Sequence, residues 1–130
     1  MTNSVAEIQF RLHASKRAEK EEPSSRRGSL PRVTQVLALA IHFQDAIQRG
    51  DARDYADLAR LGCITRERMS QIMELIWLAP DIQQEILEFP PNKSGRFPIS
   101  EVAVRRVAAN LGWTEQRELW RWMKQQNYLE

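Results

Sequence analysis

The chain has 130 residues, one cysteine, two histidines and a net charge of only +2, with 42% hydrophobic residues. That length and apolar content allow one modest core without staples. Cys63 alone cannot form an internal disulfide, and His13 and His42 stand apart with no cysteine cluster, so neither a disulfide scaffold nor a zinc site is expected. No apolar run reaches the length of a membrane span and no leader pattern opens the chain, which implies a cytoplasmic protein with no membrane partner.

The charge is segmented. Residues 1–32 carry seven Lys/Arg against four Asp/Glu, residues 33–90 five against nine, and residues 91–130 seven against four. Any polyanion would therefore meet its cations in the flanks and not in the acidic middle.

In chain order, VAEIQFRLH at 5–13 alternates apolar and polar residues and predicts a short strand or extended arm. It admits pairing with a second copy, which would make a homodimer, or service as a tail. Residues 15–32 are charged and broken by Pro23, Gly28 and Pro31, and read as a flexible linker. Residues 1–30 are thus expected to be a flexible arm, and the basic linker's Lys16, Arg17, Arg26, Arg27 and Arg32 can follow phosphates or enter the minor groove, opposed by Glu19, Glu21 and Glu22. The helical domain is expected over 31–130.

Pro31 opens the first predicted helix, with Val33, Val36, Leu37, Leu39, Ala40, Ile41, Phe43 and Ile47 on its apolar face and Gly50 at its end. Asp54 predicts an N-cap for a short helix bearing Tyr55, Leu58, Ala59 and Leu61, stopped by Gly62. Thr65 caps another, in which Met69, Ile72, Met73 and Ile76 form one buried stripe. Pro80 and Asp81 start a fourth with Ile82, Ile86 and Leu87, before a loop at 90–98. Ser100 caps a fifth with Val102, Val104, Val107 and Leu111. Thr114 is expected to cap the last, with Leu119, Trp120, Trp122 and Met123. The fold class is all-α, a bundle of about six helices centred on a helix-turn-helix at 54–78.

That unit, DYADLARLGCITRERMSQIMELIWL, places a short helix, a glycine turn and a second helix in succession. Its outward positions are Thr65, Arg66, Glu67, Ser70, Gln71 and Glu74. Arg66 suits guanine, Gln71 adenine, Glu67 cytosine, and Ser70 a base or phosphate, while Arg68, at the side, suits a phosphate. The same pattern also describes any amphipathic helix pair with ordinary surface polar residues. The expected DNA-binding residues are Thr65, Arg66, Glu67, Arg68, Ser70 and Gln71.

The run LARLGCITRERMSQIMELIWLAPDIQQEIL resembles the DNA-binding domain of the ParB/KorB partition proteins, a helix-turn-helix followed by a leucine-proline step, here Leu78–Ala79–Pro80, and an acidic helix. PISEVAVRRVAAN at 98–110 and TEQRELWRWM at 114–123 extend it to about 90 residues. The resemblance implies sequence-specific binding of double-stranded DNA, with Thr65, Arg66, Ser70 and Gln71 matching the family's DNA-facing positions. It departs at the turn, where Gly62 follows Ala59 by three residues and the family has four. The first 30 residues are too few for that family's nucleotide-binding motifs, so a stand-alone module without a CTP-driven clamp is expected. A similarity to helical modules of serine recombinases suggests a mobile-element setting with a site-specific recombinase as partner. Transcription regulation, recombination and partition all fit such a nucleoid-associated module.

No phosphate loop, nucleophile with a nearby base, or carboxylate cluster is evident, so no enzyme and no cofactor are expected, and Cys63 reads as a small packing residue. Trp113, Trp120 and Trp122 are expected to supply two or three core residues, with a partner contact as the alternative. Arg105, Arg106, Arg117, Arg121 and Lys124 offer a basic patch or a solvated face. The alternative to DNA binding is a helical adaptor for another protein.

Overall fold

The computed structural model describes residues 28–91 and 99–128. The strand expected at 5–13, most of the expected arm and residues 92–98 of the loop lie outside them. The described residues form six α-helices: α1 (Arg32–Gln48), α2 (Tyr55–Gly62), α3 (Arg66–Met73), α4 (Pro80–Leu87), α5 (Glu101–Ala108) and α6 (Trp113–Tyr128). A 3-10 turn, Glu74–Trp77, extends α3, and there is no strand among the described residues.

Helix α1 is the hub, packing against α3, the 3-10 turn, α4 and α5. Its stripe Val33, Val36, Leu37, Ala40, Phe43 and Ala46 is buried because these positions recur every three or four residues on one face. Thr34 is buried among them, its hydroxyl donating to the Ile86 carbonyl at 2.8 Å. That bond satisfies a polar group inside the core and ties α1 to the end of α4.

Five of the six starts follow the sequence signals. Pro31 is extended (ψ 146°), and its carbonyl accepts from Thr34 and Gln35. The side chains of Asp54, Thr65 and Ser100 accept the backbone N–H three residues on, at 2.9, 3.0 and 3.1 Å. Ala79 is extended ahead of Pro80, the conformation a following proline imposes. The last helix differs: α6 begins at Trp113, and Thr114 is not its cap. Gly112 precedes it, and a Cβ there would meet Glu115 Oε1 at 2.0 Å, so another residue would displace the end of that exposed side chain.

The apolar stripes also depart from expectation: Tyr55 and Leu87 are 43% and 39% exposed. After Met73 the helix tightens, and a three-residue repeat brings Ile72, Leu75 and Leu78 to the inside while Ile76 is only half-buried. On α5, Val104 and Val107 are buried, but Val102 is about half exposed and Leu111, past the helix end, is 99% exposed.

The candidate nucleic-acid interface and the apolar face beside it

Helices α2 and α3 pack on each other, and α3 packs on α1. The reversal between them is not made by Gly62, as the sequence suggests. Gly62 is the buried last residue of α2, and Cys63 takes the left-handed conformation, φ 59° and ψ 42°. Two bonds close this turn: Ile64 N–H donates to the Ala59 carbonyl at 2.9 Å and Cys63 N–H to that of Arg60 at 3.4 Å. This is the glycine-type helix ending, with a cysteine where glycine is the favoured residue. The left-handed residue thus falls four positions after Ala59, so the shorter Ala59–Gly62 interval does not shorten the turn. Cys63 is exposed, not a packing residue.

Beyond the turn, Thr65 caps α3 with its side chain, and Met69, Ile72 and Met73 bury the inner face. Thr65, Arg66, Glu67, Ser70 and Glu74 are exposed, and Gln71 is half-buried. Arg66 and Ser70, one turn apart, share a face, and Glu67 and Glu74 flank them on the same helix and its extension. The surface is mixed in sign, with the donors and acceptors needed to read base edges but little net attraction for a polyanion.

Arg68 is engaged elsewhere. Its guanidinium donates to both carboxylate oxygens of Glu101, at 2.6 and 2.9 Å, and to Gln71 Oε1 at 3.1 Å. Arg105 approaches the same carboxylate at 3.6 Å. Burial pushes the Glu101 carboxyl up, but the Arg68 hydrogen bonds and the charges of Arg68, Arg105 and Arg32 outweigh it and hold the group below its ordinary value. The pair fastens α3 to the first turn of α5. It also fixes the Gln71 amide, because a guanidinium only donates and so selects the oxygen, leaving the NH2 to donate to another acceptor. Thr65, Arg66, Glu67, Ser70 and Gln71 therefore form one set at the surface, while Arg68 is joined to the scaffold.

At the start of α2, Asp57 accepts the Arg53 N–H at 3.0 Å and the Arg60 guanidinium at 2.6 Å, which hold its carboxyl below the usual range. The expected C-terminal basic patch is largely spoken for as well. Arg117 pairs with Asp81, Lys124 with Glu85 and Arg105 with Glu101, leaving Arg106 and Arg121 exposed.

Of the three C-terminal tryptophans only Trp120 joins the core, stacking on Phe89 at 6.3 Å between centroids and donating to Glu85 at 3.0 Å. Trp113 and Trp122 are 48% and 57% exposed, so the expectation of two or three core tryptophans is corrected to one. A helix with 3.6 residues per turn cannot bury Trp120 and Trp122 together.

Sequence reasoning missed Gln116. It is 1% exposed, its Oε1 accepts the Ala79 N–H at 2.8 Å, and its Nε2 donates to the carbonyls of Trp77 at 3.0 Å and Asn110 at 2.8 Å. The only hint was a polar residue one turn from Trp120, at a spacing that places it on the inner face of α6.

No described helix is long and apolar enough to cross a membrane, and no group of three or more metal-ligating side chains occurs among the described residues. Comparison with protein-family models, with curated proteins and with solved structures finds no match to this chain.

Proposed function

We propose that this protein binds double-stranded DNA in a sequence-specific manner, with α3 as the reading helix. The observation that carries this reading is the unit α2–turn–α3 itself. A short helix ends in a left-handed residue, the next helix is capped by Thr65, and its outer face presents Arg66, Glu67 and Ser70 to solvent with the half-buried Gln71 beside them. Arg66 would take guanine, Gln71 adenine and Ser70 a base edge or phosphate. The Arg68–Glu101 pair supports the reading indirectly, because a reading helix must be held rigidly on its scaffold. Use in transcription regulation, or as an accessory factor in recombination or partition, agrees with the ParB/KorB-like run at 58–87.

Further phosphate contacts in this reading come from outside α3. Arg106 and Arg121 are exposed, and Arg53, whose side chain is 85% exposed, approaches Asp57 only at 3.8 Å. A second reading, a helical adaptor that binds another protein and no DNA, is favoured by Glu67 and Glu74 beside Arg66, which weaken the local field for a polyanion. Selection of bound duplexes from a random pool separates the two. DNA recognition predicts an enriched motif whose affinity falls steeply with salt, and the adaptor reading predicts no enrichment even at low salt.

A further inference from the structure

At the C-terminal end of the α3 extension the surface becomes apolar. Trp77 is 69% exposed, Leu111 99% and Trp113 48%, and they surround a cleft of about 400 Å³ lined also by Glu74, Ala109 and Asn110. These walls are held in place. The buried Gln116 amide binds the carbonyls of both Trp77 and Asn110, so the 3-10 turn and the α5–α6 junction are tied to one side chain. Large apolar groups held rigidly in water carry a standing free-energy cost, which a partner relieves.

We infer that the partner is a second copy of this chain, docked about a two-fold axis so that Leu111 of each copy enters the cleft of the other. A two-fold interface must be complementary to itself, and this patch holds both a protruding group, Leu111, and a recess beside it wide enough to admit one. The area also fits. The two indoles and the leucine expose on the order of 450 Å² per copy, so two such faces bury about 900 Å² before their rims are counted, in the range of weak, transient interfaces below about 1,200 Å². A monomer-dimer equilibrium at micromolar or weaker affinity is the expected strength. If α3 reads DNA, and this clause rests on that reading, the same contact sets the span of the site. By helix rise, Arg66 lies about 20 Å from Trp77 along α3 and its extension, so the contact would fix how far apart the two reading helices stand.

The test needs no DNA, so its failure and that of the DNA reading are distinguishable. Sedimentation of the full chain from low micromolar to near-millimolar concentration should show the mass rising toward two chains. Leu111→Asp and, independently, Ala109→Arg should weaken association at least tenfold with unchanged thermal melting, both positions being exposed. Trp122→Ser, at an exposed tryptophan on another turn of α6, should associate as wild type. A single-chain mass at every concentration would overturn the proposal. So would Leu111→Asp and Ala109→Arg variants that still dimerise, or a dimer lost on Trp122→Ser.

Discussion

Arg68 and Glu101 stand 33 residues apart in sequence and meet through two hydrogen bonds of 2.6 and 2.9 Å, the strongest polar link between α3 and α5. Both side chains are largely covered, 32% and 13% exposed. Removing one partner leaves the other desolvated and unmatched, which costs more than an exposed pair is worth and less than a deeply buried one. Arg68→Ala and Glu101→Gln should each destabilise the fold by about 1–2 kcal/mol in chemical denaturation. If Glu101→Gln left the midpoint unchanged, the pair would be ornamental.

The same pair predicts a pH dependence. The folded Glu101 carboxyl lies below its ordinary value of 4.5, so the stability it contributes is complete above that value and is lost as pH falls through the lowered folded one. The stability difference between wild type and Glu101→Gln should be constant near neutrality and shrink on acidification below about pH 4.5. A difference that grows on acidification would contradict this.

Gln116 is the second structural prediction. Its replacement by alanine strands the Ala79 N–H and two carbonyls and opens a hole beside the cleft. A loss of about 2–4 kcal/mol is expected in thermal or denaturant melts, because buried groups left without partners cost more than a made bond returns. Gln116→Glu keeps the acceptor for Ala79 but loses the donor to both carbonyls, and should be no more stable than the alanine variant. A tolerated Gln116→Ala would mean that water substitutes fully.

Cys63 gives a prediction of opposite sign. A non-glycine residue at φ 59° carries a steric cost that glycine avoids, partly offset by glycine's greater unfolded freedom. Cys63→Gly should stabilise by about 0.5–1 kcal/mol, and Cys63→Val should destabilise by more than that. The exposed thiol should react with a thiol reagent in the native protein as fast as in the unfolded chain.

The helix positions and five of the six starts were legible because capping and periodicity act within a few residues. Asp54, Thr65 and Ser100 announce their helices locally, and Pro31 does so through its fixed backbone. The failures lie where distant groups decide. Nothing within a turn of Arg68 reveals Glu101, and Gln116 looks like any surface glutamine until α4 and α5 are placed around it. Leu111 continues the period of α5 in sequence, but the helix ends before it, and the pattern does not register that stop. Gly62 drew the turn one residue early because composition marks where a left-handed residue is easy, not where the chain needs one. The outward residues of α3 were legible as an exposed polar set. Their chemistry toward DNA remains a proposal built on that exposure.

The most direct measurement is the affinity of wild type, Arg66→Ala and Gln71→Ala for the best duplex selected from a random pool and for a scrambled duplex, across a salt series. The DNA-reading account predicts that wild type prefers the selected duplex. It also predicts that each substitution costs about 1–3 kcal/mol on that duplex and little on the scrambled one, with melting unchanged. Wild-type affinity that is equal for the two duplexes, or variants that discriminate as well as wild type, would contradict the assignment of α3 as the reading helix.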